Sequence, residues 1–169
     1  MTEPRFKVNK INQIGFVVKD LDRAMEAYWK NFGVGPWRIY TYGFPLVKDT
    51  TYRGQAEDFH MRIALANVGD MLIELIQHLD GETLYKEYGE AAGEGVQHLG
   101  IFVPKLADAV QEAEAAGFNV IQSGRAFGAK GDGGFAYLDT AETLGTIYEL
   151  IEIPEVRYPP ERIYPPETE

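Results

Sequence analysis

His98-Leu99-Gly100-Ile101 repeats the pattern of Gln13-Ile14-Gly15-Phe16. In both, a polar side chain, an aliphatic one, a glycine and an apolar residue follow in order. The segments after them also correspond: Asp20-Leu21-Asp22-Arg23-Ala24-Met25 in the first copy, Lys105-Leu106-Ala107-Asp108-Ala109-Val110 in the second. Working outward from the first copy, residues 11–18 read as a strand of branched and aromatic residues. A helix follows, capped by Asp20 or Asp22 and closed by Gly33, with Leu21, Ala24, Met25, Tyr28, Trp29 and Phe32 at helical spacing. Strands are expected over 37–42, 60–67 and 71–78, with 43–58 as a long connection between the first two and a short helix over 82–91. From Gly95 the order starts again: strand, a helix ending at Gly117, strands near 119–126 and 134–139, and an apolar strand carrying Glu149.

Two repeats are too few for a solenoid. The fold class is therefore α+β, with two βαβββ modules packed into one curved mixed sheet. The expected divisions are an N-terminal extension over 1–9, a first module over 10–80, a linker with a short helix over 81–94, a second module over 95–153 and a Pro-rich tail over 154–169. Pro154, Pro159, Pro160, Pro165 and Pro166 rule out regular helix or central strand in the tail. It reads as an extended arm, either partly disordered or packed on another subunit.

Of 169 residues, 45% are hydrophobic, enough for one domain with a full core or two small fused modules. A formal charge of -10 argues against nucleic acid, because phosphate binding needs a basic face. With no cysteine, disulfides, thiolate nucleophiles and sulfur metal sites are excluded, and any metal must be held by oxygen and nitrogen. The polar start, Met-Thr-Glu-Pro-Arg-Phe-Lys, lacks an apolar leader core and no run reaches bilayer length. A soluble, cytoplasmic protein is expected.

Candidate chemistry centres on two strands, Leu72-Ile73-Glu74-Leu75-Ile76 and Ile147-Tyr148-Glu149-Leu150-Ile151. Each places a carboxylate inside an apolar run, a costly position unless the charge is paired, protonated or metal-bound. If the modules are related by a pseudo-twofold axis, Gln13 pairs with His98 and Glu74 with Glu149 across the concave side of the sheet. An amide oxygen, an imidazole and two carboxylates then converge, which suits a divalent cation with positions left for substrate or water. Gly15 and Gly100, two residues past proposed ligands, would leave room for substrate to approach the metal. His60 and His78 read as structural or substrate-adjacent.

The glycines at 124, 128, 131, 133 and 134 lead into a strand without a Gly-Lys-Ser/Thr sequence, so they form a flexible loop rather than a phosphate cradle. Carrying Arg125 and Lys130, that loop is a candidate cover for substrate. Arg38, Arg53 and Arg62 are further candidates for an anionic group. Phe16, Trp37, Tyr40 and Tyr42 are candidates to line a cavity, although core packing explains them equally.

With Gln13, Glu74, His98 and Glu149 at the ligand positions, residues 10–153 resemble the vicinal oxygen chelate superfamily, which includes glyoxalase I, methylmalonyl-CoA epimerase, extradiol dioxygenases and fosfomycin or bleomycin resistance proteins. His98-Leu99-Gly100-Ile101 and Glu149-Leu150-Ile151 are similar to the epimerase branch. Gln13 departs from it, since those epimerases usually have histidine there, and Gln, Glu, His, Glu is the ligand set of animal-type glyoxalase I. The resemblance implies one divalent ion (Zn, Co, Mn, Ni or Mg), a substrate chelated through two neighbouring oxygens, proton abstraction alpha to a carbonyl, and a homodimer. Glu149 is the expected base and Glu74 its counterpart on the opposite face. A methylmalonyl-CoA epimerase-like isomerase leads. A glyoxalase I-like lyase (lactoylglutathione lyase) is the alternative, and a metal-free small-molecule-binding protein of the same fold is the alternative outside enzymes. Ring cleavage is disfavoured, because it calls for two histidines and one carboxylate.

Overall fold

A computed structural model describes residues 6–166. β1 (Gln13–Val17) leads into α1 (Leu21–Phe32), whose start is fixed by the Asp20 carboxylate accepting from the Arg23 N–H. Gly33 ends it in the left-handed region at φ 66°, a conformation that costs glycine nothing. β2 (Trp37–Tyr42), β3 (Lys48–Tyr52), β4 (Gln55–Ala56), β5 (His60–Val68) and β6 (Met71–Asp80) follow. α2 (Leu84–Ala92), capped by the Thr83 hydroxyl accepting from the Lys86 N–H, leads to β7 (Gly95–Phe102). α3 (Leu106–Ala115) has no cap from Lys105, and the Glu152 carboxylate instead accepts from the Leu106 N–H at 2.7 Å. β8 (Val120–Arg125), β9 (Gly134–Leu138), the single turn α4 (Ala141–Leu144), β10 (Ile147–Glu152) and β11 (Arg162–Tyr164) complete the described chain.

All eleven strands form one mixed sheet, in the order β11-β2-β5-β6-β1-β7-β10-β9-β8-β3-β4. At its centre β1 runs antiparallel to β7, while β1 is parallel to β6 and β7 parallel to β10. α1 buries Leu21 and Met25 in a cluster with Trp37, Ile39, Ala64 and Leu75 on the first half of the sheet. α3 buries Leu106, Ala109 and Ala113 in the equivalent cluster with Ala136, Leu138 and Leu150 on the second. Each fully buried Leu or Met contributes about 1.5–3 kcal/mol. A third cluster, including Tyr42, Met61, Ile63, Phe127, Phe135, Tyr137 and Ile151, fills the inner face.

Two expectations are corrected, and for Phe16 and Trp37 the core-packing reading holds. Residues 43–58 contain β3 and β4, and β3 crosses to pair with β8 at the far edge. Its side chains are exposed or half-buried, so backbone pairing rather than an apolar face holds it, and no hydrophobic alternation marks it. The tail packs on its own chain: β11 pairs with β2, and the Glu161 carboxylate accepts from the Thr41 N–H at 2.9 Å and its hydroxyl at 3.1 Å. Arg162 reaches Asp22, which also holds Arg62. Phe16 and Trp37 flank Tyr28 of α1 in edge-on contacts of 5.9 and 5.8 Å, on the outer face rather than in a cavity. Parts of the expected N-terminal extension (1–5) and tail (167–169) lie outside the described residues. No described helix is long and apolar enough to cross a membrane.

Candidate metal centre

Strand register brings the four polar residues together. Gly15 of β1 stands beside Glu74 of β6, and Gly100 of β7 beside Glu149 of β10. Across the central antiparallel pair, Gln13 faces Gly100 and His98 faces Gly15. The Gln13 Nε2 donates to Glu74 at 2.9 Å and to Glu149 at 3.1 Å, and lies 3.3 Å from the His98 Nε2. That imidazole nitrogen is 3.1 Å from the Glu149 carboxylate and 3.4 Å from Glu74. Exposure is 3% for Gln13, 8% for Glu74, 0% for His98 and 4% for Glu149, so the cluster is close to dry.

The same register changes the role of the glycines. A Cβ at Gly15 would fall inside the His98 ring, and one at Gly100 would stand 2.8 Å from the Gln13 Cβ. Each glycine makes room for the polar side chain of the neighbouring strand, not for substrate. The alternation polar-x-Gly is therefore one device used twice, because an antiparallel partner places every Gly opposite the other copy's polar residue.

Gln97 is a site residue that sequence reading missed. The β1–β7 register shifts between Gly15 and Phe16, which pair with His98 and Val96, leaving Gln97 as the extra residue of a bulge. A bulge re-aims a side chain that plain alternation would send to the opposite face. The Gln97 Oε1 lies 2.6 Å from the His98 Nδ1. Accepting from an Nδ1–H, it keeps Nε2 directed at the carboxylates, the nitrogen that would ligate a metal once its proton has left. Only a bulge signal could have revealed it.

Burial works to lower the His98 pKa, but Glu149, with Glu74 behind it, outweighs burial and holds it at about 9. Burial, with the Glu74 charge added, raises that of Glu149. Two carboxylates and one imidazolium leave a net negative charge in a pocket shielded from water. A dication with a neutral imidazole would balance it. One ligand atom each from Glu74, His98 and Glu149 lies within 4.8 Å of the others, and turning the Gln13 amide over would add its oxygen. The donors are oxygen and nitrogen, and they fit a hard or borderline divalent ion.

Above the cluster is a cavity of about 40 Å³, lined by Tyr42, Met61, Phe127, Phe135 and Tyr137 among others. Arg157 is the one cation lining it among the described residues, and it was not among the expected candidates. Arg38 bonds Asn67, Arg53 pairs with Glu87, Arg62 with Asp22, and Lys130 with Glu155, all away from the cavity, while Arg125 is exposed on β8. His60 bonds Asp80 and His78 bonds Thr83, both outside the cluster. Tyr40 stacks on Tyr42, which lines the cavity itself. Burial raises the Tyr42 pKa to about 12, only partly offset by the Arg157 charge. Its hydroxyl lies near that guanidinium but outside hydrogen-bond geometry, and so has no partner among the described residues.

Residues 12–137 match the family described as the glyoxalase/bleomycin resistance protein/dioxygenase superfamily. No curated protein sequence matches the chain. Among solved structures, methylmalonyl-CoA epimerase from Mycobacterium tuberculosis is similar over 87% of this chain and 89% of its own, with 20% identity and a TM-score of 0.62. A Streptomyces coelicolor methylmalonyl-CoA epimerase variant in complex with 2-nitronate-propionyl-CoA covers 86% of this chain and 98% of its own, at 18% identity and a TM-score of 0.62. A hypothetical protein from Bacillus halodurans covers 90% and 99%, at 23% identity and the same TM-score. These structures share the α+β fold of this chain.

Proposed function

The chain belongs to the glyoxalase/bleomycin resistance protein/dioxygenase superfamily, the vicinal oxygen chelates, and from that premise we propose that it is a metal-dependent epimerase acting at a carbon alpha to a carbonyl. The observation that carries the reading is the buried Gln13-Glu74-His98-Glu149 cluster at the floor of a cavity. A divalent ion held there would polarise a substrate carbonyl and acidify the adjacent C–H bond. Glu149, buried at the floor of the cavity, takes that proton. The Tyr137 hydroxyl, bonded to Tyr85 at 2.9 Å, stands beside Glu149 and favours its charged form. Glu74 returns a proton to the other face of the carbon, inverting it, and exchange with solvent resets the pair. Inner-face aromatics exclude water from the reacting centre.

Epimerase neighbours, among them one in complex with methylmalonyl-CoA and NH4+, support a 2-substituted acyl-CoA ester as substrate. Gln13 favours a second reading, a glyoxalase I-like lyase that moves a proton between neighbouring carbons. The two separate in deuterium oxide. The epimerase reading expects the metal-loaded protein to exchange the alpha proton of a 2-methyl acyl-CoA ester and not to turn over a methylglyoxal–glutathione adduct. The reverse result moves the assignment to the lyase, and Glu149→Gln retaining full exchange removes Glu149 as the base.

A further inference from the structure

After β10 the chain does not leave the molecule. Pro154 fits against Gly128, where an added Cβ would stand 2.4 Å from the proline Cβ, and packs tightly beside Gly133, where one would stand at 3.1 Å. The Glu155 N–H donates to Asp132 at 2.6 Å, the Ala129 N–H donates to the Val156 carbonyl at 2.8 Å, and Gly128 bridges Arg157. The glycine-rich loop thus clasps the start of the tail, while β11 ties its far end to β2 at the opposite edge of the sheet. Residues 154–164 form a strap fixed at both ends.

The strap delivers Arg157 to the cavity. Its guanidinium sits 5.4 Å above the Phe127 ring, and it forms no ion pair among the described residues, although the chain has 26 acidic residues and 16 basic ones. Facing it is the Tyr42 hydroxyl, 4% exposed as a residue and without a partner. A cation and an unused buried donor, side by side in a cavity that already holds two carboxylates, call for an oxygen anion.

We propose that Arg157 and Tyr42 anchor an acidic group of the substrate, a carboxylate adjacent to the two oxygens presented to the metal; this rests on the metal-centre reading above. Charge balance supports it. Even with both glutamates ionised, a dication and a neutral His98 leave Arg157 as a surplus positive charge that a carboxylate offsets. The cavity admits only a compact group, about three waters in size, so the acid and the reacting carbon enter together while the rest of the substrate stays outside. Arg157 binds and orients; it takes no part in proton transfer.

The test compares two small chelating acids by calorimetry on metal-loaded protein at neutral pH. Lactate offers a hydroxyl and a carboxylate, and tartronate offers the same pair with a second carboxylate. The native protein is expected to bind tartronate at least about tenfold more tightly. Arg157→Gln should erase that preference and Tyr42→Phe reduce it several-fold, with metal affinity unchanged in both. A native protein that binds the two acids equally, or a preference that survives Arg157→Gln, overturns the anchor alone. Failure to take up metal overturns the metal-centre reading and this inference with it, and is seen before either acid is added.

Discussion

Gly15 and His98 face each other across the central β1–β7 pair, and the His98 ring occupies the space that a Cβ at position 15 would fill. No rotamer change of one flexible tip relieves such a clash, because the ring is fully buried and held by Gln97 on its other side. Gly15→Ala should therefore displace the imidazole, lower stability by at least about 1–3 kcal/mol as overpacking does, and weaken divalent-metal binding by an order of magnitude or more. Urea unfolding and metal titration of the same variant measure both. Unchanged metal affinity would contradict the role given to this glycine.

Gln97 bonds His98 from the bulge and should act through it. Gln97→Ala is expected to retain the fold and lose about ten- to a hundredfold in metal affinity, the usual cost of removing a partner that orients a ligating histidine. Equal affinity in the variant would show that the hydrogen bond does not orient the imidazole.

Gly128 lies against Asp132 and Pro154, with no room for a methyl group. Gly128→Ala should loosen the strap, cost about 1–3 kcal/mol and open the tail to trypsin at Arg157 and Arg162. Limited proteolysis compares cleavage rates with the native chain; identical rates would mean that the clasp does not hold the strap.

His60 is bonded to Asp80 at 2.8 Å, and that bond is the first reason its pKa is raised, with the Asp58 charge a further contribution. A raised folded-state pKa means the pair stabilises fully below the ordinary imidazole value of about 6.5 and fades as pH climbs through the higher folded value. The side chain is 34% exposed, so screening keeps the gain below about 1 kcal/mol. Stability measured across this range should fall slightly with rising pH in the native protein and less so in His60→Gln. A steeper fall in the variant would reverse the sign.

Much of this was legible because it repeats. Two apolar strands with a central glutamate and two strands carrying polar-x-Gly located all four residues of the buried cluster, since hydrophobic patterning also fixes which face each strand presents. What the glycines accommodate was not legible, because it depends on how β1 registers against β7. β3 lacked an apolar face to mark it. Arg157 was hidden for a different reason: its place in the cavity depends on the path of a proline-rich tail, set by Gly128, Asp132 and β2 far away in sequence.

The most direct measurement is the metal content of the purified protein after reconstitution with a divalent ion and removal of the excess. The native chain should retain one ion per chain, and His98→Ala and Glu149→Ala should retain almost none while staying folded. A native chain that retains no stoichiometric ion, or variants that retain as much as the native, would contradict a metal centre at Gln13, Glu74, His98 and Glu149.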